Sequence, residues 1–303
     1  MDATPVPVAS AFAPFAAVAN NTVKGCKWSP DGLCLLTASE EDKQLRLFEL
    51  PGELQSEATL GAAAAAVAER GAAANGAASA EIESTLTVRE GDSIYDFAWF
   101  PGMDSAEPAT CCFLSSSREH PLHLWDAYTG QCRASYSARN HLDELTAAHS
   151  LAFDPSGSKI YAGFDRAVRI FDVSRPGRQC ELRPTCKTKR SRSGQRGIIS
   201  CFAFAPDYWG LYAAGSFSGT TGMYDERDPS NLIVELGTNT REGSKIAKPR
   251  AARGRVENCE TASSARKRQR EEAAARGSGA RTQHAMNLCR WTGRRQCAMR
   301  PSR

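Results

Sequence analysis

The sequence predicts an all-β chain made of four copies of one strand–turn–strand–turn–strand unit, followed by a segment without a core. Three observations predict this. The same landmarks recur four times in the same order between residues 22 and 237. Each copy ends in a strand that alternates in character, as a half-buried strand must. Of the 24 aromatic residues only Trp291 lies beyond Gly237, so that stretch lacks the large apolar side chains that offset ordering entropy.

The copies read as follows. The first has GCKWSPDG at 25–32, LLTAS at 35–39 and DKQLRLFE at 42–49; the second has YDFAWFP at 95–101, FLSSS at 113–117 and EHPLHLWD at 119–126. The third has SLAFDPSG at 150–157, IYAG at 160–163 and DRAVRIFD at 165–172; the fourth has SCFAFAPD at 200–207, LYAAGS at 211–216 and SGTTGMYD at 218–225. In each, an aromatic or its neighbour precedes a proline that ends the first strand, because proline cannot donate to a sheet ladder. Small residues in the second strand leave room for a neighbouring sheet. In the third strand Leu45 and Leu47 point to one face, Arg46 and Phe48 to the other, and Val168 and Ile170 repeat this against Arg169 and Phe171. Each copy closes on an aromatic–acid pair: Phe48 with Glu49, Trp125 with Asp126, Phe171 with Asp172 and Tyr224 with Asp225. These are the blades of a WD40 β-propeller. Trp28, Phe48, Trp99, Trp125, Asp126, His149, Phe153, Asp165, Phe171, Asp172, Phe204, Tyr224 and Asp225 are the expected blade framework. Asp42 and Asp165, six residues before the closing aromatic, are read as turn residues bonding backbone N–H groups, with His149 placed near Asp165.

The expected organisation is a disordered segment at 1–21, a partial propeller at 22–237 with an Ala-rich insertion at 52–89, and a basic disordered tail at 238–303. The tail carries 17 Lys and Arg against 5 Asp and Glu, a balance of +12, while the whole chain carries only +4. It also holds the basic run 265–270, of the kind used for nuclear import or nucleic-acid binding. A second basic stretch, 175–196, has eight Lys and Arg against Glu181 alone. A solvated loop and a phosphate-binding patch are balanced readings of it.

Several classes are disfavoured. No apolar run is long enough for a membrane helix. The apolar start lacks the basic residues of a secretory signal and is broken by Pro5, Pro7 and Pro14. The 11 cysteines form no CxxC pair, which favours free thiols. Nucleotide-loop and nucleophile-elbow motifs are missing, and the spacing of Cys259, His284, Cys289 and Cys297 matches no zinc pattern. His141, Asp143, Glu144 and His149 could be an acid–base cluster, but loop capping is the commoner role for such a segment. No enzyme activity, cofactor, metal or small-molecule substrate is expected.

The stretches between the landmarks are more specific. KGCKWSPDG at 24–32, EGDSIYD at 90–96, SSSREHPLHLWDAYTG at 115–130, NHLDELTAAHSL at 140–151, RPGRQCE at 175–181 and GIISC at 197–201 resemble the telomerase Cajal body protein family, over roughly 21–237. The resemblance implies a non-catalytic scaffold that binds small Cajal body RNAs, and telomerase RNA where present, and directs the ribonucleoprotein, with its other proteins, to nuclear Cajal bodies; the cytoplasm stays open as a second location. Arg118, Arg133, Tyr136, Arg139, His141, Lys187, Lys189, Arg190 and Arg192 are the candidate RNA contacts. The family forms a closed ring of seven blades, and four are present here. The expectation is therefore a C-terminally truncated or mis-spliced product. A generic WD40 protein–protein platform and a non-functional fragment are the alternatives.

Overall fold

The computed structural model describes residues 9–52, 55, 80–186, 194–206, 210–228 and 232–237. Most of the Ala-rich stretch, the basic run 187–193 and the tail 238–303 lie outside the described residues.

Four four-stranded antiparallel sheets follow one another along the chain. Blade 1 is β2 (Val23–Trp28), β3 (Cys34–Ser39), β4 (Gln44–Glu49) and β6 (Leu86–Arg89). Blade 2 is β7 (Ile94–Trp99), β8 (Cys112–Ser117), β9 (Leu122–Asp126) and β10 (Cys132–Tyr136). Blade 3 is β11 (Ser150–Phe153), β12 (Lys159–Phe164), β13 (Ala167–Asp172) and β14 (Glu181–Pro184). Blade 4 is β15 (Ile199–Phe204), β16 (Leu211–Ser216), β17 (Thr220–Asp225) and β18 (Leu232–Gly237). The all-β propeller reading and its three landmark strands per copy are borne out. The fourth strand of each blade is an addition, since it carries no fixed landmark.

That addition moves a boundary. The insertion expected at 52–89 gives 86–89 to blade 1 as β6, paired with β4. The N-terminal segment, expected to be disordered, holds β1 (Ala9–Ser10) and the single turn α1 (Ala13–Ala16). β1 pairs in parallel with β5 (Ala80–Glu81), and the Ala13 N–H donates to Glu81 Oε1 at 3.1 Å. Phe15 then lies 6.0 Å from the Phe48 ring, with the Arg46 guanidinium over it.

The aromatic–acid pairs have a clear physical role. Asp126 Oδ1 accepts from the N–H groups of Tyr128 and Thr129, Asp172 Oδ1 from Ser174 N–H, and Asp225 Oδ1 from Arg227 N–H. Each acid closes the turn that leads out of the third strand.

Blades stack through their first strands. Asp96, on β7, receives Lys27 Nζ from β2 at 2.8 Å and the Leu151 N–H from β11 at 2.7 Å, so one carboxylate joins three blades. Trp99 donates its indole N–H to the Lys27 carbonyl at 2.9 Å. Blades 3 and 4 approach closely at Gly163, where a Cβ would stand 2.2 Å from Ser150 Oγ and 2.7 Å from the Ile199 carbonyl. Tyr161, fully buried, meets Phe204 and Tyr212 edge-on at 4.9 and 5.1 Å and unites these two blades. Trp28 departs from the expected framework: it is 56% exposed. Lys27 faces blade 2, so by alternation its neighbour turns to the opposite side of the sheet, where Trp28 lines a groove with Phe15, Leu35 and Phe48.

Candidate functional site

The strand registers make positions in the four blades strictly comparable. Thr37, Ser115, Ala162 and Ala214 are equivalent on the second strands, and they pair with Arg46, His123, Arg169 and Gly222 on the third. Two residues on, the second strands end in Ser39, Ser117, Phe164 and Ser216.

In three blades these positions build a closed buried polar network. In blade 1 the Asp42 carboxylate accepts from Arg46, from Ser39 Oγ and, at 2.8 Å, from Asn21 Nδ2. Both charges are nearly withdrawn from solvent, with side chains 6% and 5% exposed. Burial alone would raise the Asp42 pKa; the bonds from Arg46 and Ser39 and the Arg46 charge outweigh it and hold the carboxyl below its ordinary value. In blade 2 the buried Glu90 accepts from Ser115 Oγ, Ser117 Oγ (2.9 Å) and Trp125 Nε1 (3.1 Å), with His123 Nδ1 at 3.2 Å. Burial again opposes its charge, and the bonds from His123 and Ser115 keep its pKa low. In blade 4 Gly222 brings no charge, and a neutral amide suffices. Gln195 Oε1 accepts from Tyr224 at 2.8 Å, and its Nε2 donates to the Ala214 and Thr220 carbonyls at 2.6 and 2.9 Å.

Blade 3 breaks the pattern. Phe164 replaces the serine, and no carboxylate is supplied for Arg169. Among the described residues the Arg169 side chain forms no hydrogen bond or ion pair; its guanidinium lies 5.1 Å over the Phe164 ring. The turn between second and third strands is also shorter, residues 165–166 against 40–43 in blade 1. The result is a cleft of about 410 Å³ between blades 2 and 3, lined by Tyr95, Arg118, Glu119, His149, Asp165 and Arg169 among others. The Tyr95 and His149 rings stack at 4.9 Å with 29° between planes. Burial pushes the His149 pKa down against the pull of Asp165, so the imidazole is neutral near pH 7. Asp165 is exposed and pairs with Arg166 at 2.7 Å; it does not take the backbone-bonding role expected of it, which Asp42 fulfils toward Gln44 N–H at 3.3 Å.

The expected RNA contacts fall into four groups. Arg118 lines the cleft with its side chain 60% exposed and, among the described residues, is held only by Glu119 at 3.7 Å. Arg139 and His141 belong to the loop that delivers Thr146 and Ala147 to the cleft wall; Arg139 donates to the Asp143 carbonyl at 2.5 Å and His141 is exposed. Arg133 and Tyr136 serve the blade instead. Arg133 is clamped by Asp126 Oδ2 and the Pro108 and Ala109 carbonyls at 2.7–2.9 Å. Tyr136 is completely buried, its hydroxyl donating to the Val173 carbonyl at 2.8 Å, and is closed to a ligand. Lys187, Lys189, Arg190 and Arg192 lie outside the described residues. The loop that carries Arg139 and His141 is capped by Asn140: its Oδ1 accepts from the Leu142 and Glu144 N–H groups, and its Nδ2 donates to Glu144 Oε2. Sequence reasoning missed Tyr95 and Arg169; their signal was the loss of serine at 164 beside a retained Arg-x-Phe at 169–171.

Comparison with known proteins agrees with this architecture. The WD domain, G-beta repeat family (WD40) matches residues 17–49 and 130–172. The chain is 47% identical to telomerase Cajal body protein 1 of Mesocricetus auratus over 227 residues, 75% of this chain and 38% of that one. Against telomerase Cajal body protein 1 of Homo sapiens it is 46% identical over 227 residues, 75% of this chain and 38% of the other. The telomerase Cajal body protein 1 homolog of Drosophila melanogaster is 36% identical over 209 residues, 69% of this chain and 34% of its own. The chain thus spans little more than a third of the length of these curated relatives.

Proposed function

Because three quarters of this chain is homologous to the telomerase Cajal body protein family, we propose that it is a non-catalytic scaffold that binds RNA, of the small Cajal body and telomerase RNA class, and accompanies the ribonucleoprotein and its proteins to nuclear Cajal bodies. The observation that carries this reading is the cleft between blades 2 and 3, where a solvent-facing Arg118 and an unpaired Arg169 flank an aromatic stack. RNA loops are recognised by such combinations: cations position the phosphates, while stacking and edge contacts select unstacked bases. The described framework otherwise uses its buried carboxylates to satisfy blade donors, which suits a rigid platform.

The test is competition binding of the full chain to a small Cajal body RNA loop and to the same loop scrambled, across a salt series. The tail, at +12 over 238–303, contributes salt-sensitive affinity for both RNAs, so the ratio between them is decisive. A preference of tenfold or more that survives at high salt supports the reading. Equal affinities at every salt concentration defeat it and leave a WD40 protein–protein platform.

A further inference from the structure

We propose that the cleft between blades 2 and 3 is a single-nucleotide pocket, in which Arg169 takes a phosphate and the Tyr95–His149 stack takes the base. This deepens the RNA reading and rests on it for the polymer, though not for the pocket itself.

The argument is internal to the molecule. At the position of Arg169, blade 1 holds Arg46, which meets Asp42 of its own turn, and blade 2 holds His123, which meets Glu90 from the segment that leads into that blade. Blade 4 removes the positive group altogether with Gly222. Blade 3 alone among the described blades keeps the cation and omits the anion. A guanidinium that is half-buried and unpaired is costly to keep, and its own blade offers it only the face of Phe164. An anion entering the cleft supplies to Arg169 what Asp42 supplies to Arg46 within blade 1. Arginine's planar fork suits a phosphate oxygen pair, and Arg118, on the opposite wall, adds a second cation.

The rest of the lining selects a nucleotide over a bare anion. Tyr95 and His149 form an aromatic platform, and His149 is kept neutral by burial, so it stacks as a π-face. Thr146 brings a hydroxyl, and Glu119 and Asp165 bring carboxylates that accept from base amino and imino groups. These two acids also repel a polyanion that lacks such donors, and Asp165 is partly neutralised by Arg166. The volume, about 410 Å³, lies within the ~300–1,000 Å³ typical of small-ligand sites.

The experiment uses the full chain, folded by circular dichroism, with four nucleoside 5′-monophosphates, inorganic phosphate, a glutamate-rich peptide and a 12-nucleotide single-stranded RNA as probes. Binding is read by calorimetry and by the ring resonances of labelled histidines, with His149 identified by H149Q. At least one monophosphate is expected to shift the His149 signal and to bind tenfold or more above inorganic phosphate. Arg169→Gln and Tyr95→Ala should each weaken it about tenfold or more, with Arg169→Lys intermediate and Tyr95→Phe within threefold of the parent. For the 12-mer, Arg169→Gln should also lower the salt slope by about 1. Folded Arg169→Gln protein that binds nucleotides unchanged overturns the proposal, as does phosphate binding equal to nucleotide binding. Tighter binding of the acidic peptide assigns the cleft to a protein partner and overturns it too. Two outcomes separate the layers: RNA bound equally by parent and Arg169→Gln sinks the pocket and spares the RNA reading, whereas monophosphates in the cleft without RNA binding do the reverse.

Discussion

Replacing Glu90 by alanine should be the most damaging single change among the blade networks. The side chain is buried and serves Ser115, Ser117, His123 and Trp125 at once. A hydrogen bond to a charged acceptor contributes about 1.5–3 kcal/mol, but these four share one carboxylate and do not add. Breaking a buried charged network by removing one partner typically costs about 3–5 kcal/mol, and we expect Glu90→Ala to fall there. Glu90→Gln keeps one carbonyl acceptor and should cost about 1–2 kcal/mol. Urea unfolding followed by tryptophan fluorescence is the assay, since the Trp125 indole is itself a donor to Glu90. Glu83→Ala, at an exposed position, is the control and should stay within about 0.5 kcal/mol. The pH dependence has a definite sign. The folded-state pKa of Glu90 is depressed, so its stabilisation is fully present above the unfolded value of about 4.3 and is lost as pH falls through the lower folded value. Glu90→Gln should therefore show a shallower loss of stability with acid below about pH 4.3 than the parent. A Glu90→Ala cost below about 1 kcal/mol, or an unchanged acid slope in Glu90→Gln, would refute the reasoning.

Trp125→Ala should cost about 3–5 kcal/mol, because the half-buried ring packs on the core and its N–H reaches Ser115 Oγ at 2.8 Å; a cycle of Trp125→Phe with Glu90→Gln should show coupling above about 0.5 kcal/mol. Asp96→Ala should cost about 2–3 kcal/mol by stranding the Leu151 N–H and Lys27, and Asp96→Asn less, both measured by denaturant midpoint. Thiol alkylation followed by peptide mass mapping should label the exposed Cys26, Cys132 and Cys201 well before Cys34 and Cys112, whose pKa values burial pushes up to about 11 and about 12.

How far the sequence could be read depended on whether a residue's role repeats. The landmark strands repeat because the same backbone problems recur: a proline that ends a strand, small residues where blades meet, an acid that closes a turn. The fourth strands solve no such problem. β14 is four residues with only Arg183 buried, so it leaves no landmark and its place emerges only from pairing. By residue type alone, basic Arg133 and aromatic Tyr136 read as RNA contacts. Alternation alone separates Tyr136 from solvent, since Ala134 and Tyr136 lie on the inward face of β10. Arg133 required knowing that Asp126 faces it across the same hairpin. Trp28 departs in the opposite direction: its motif position is that of Trp99 and Phe153, both buried, yet it is exposed on the side of blade 1 away from blade 2.

The site was the least legible part, and the reason is that it consists of a departure from the repeat. A functional residue in a repeated fold does not announce itself by type, since Arg46 and Arg169 occupy equivalent strand positions and both precede x-Phe. What differs is the partner. Arg46 faces a carboxylate delivered by a turn that spans 40–43, and its charge is consumed within the blade. The turn at 165–166 is too short to fold an acid back in the same way. Asp165 consequently pairs with Arg166 at the cleft, and the Arg169 guanidinium is left without a carboxylate partner. Loss of serine at 164 removes the other acceptor in the same step. Two local changes, a shortened turn and one Ser-to-Phe difference between equivalent positions, convert a structural ion pair into an available cation beside an aromatic stack. The binding chemistry proposed for this scaffold starts from the point where one blade stops satisfying itself.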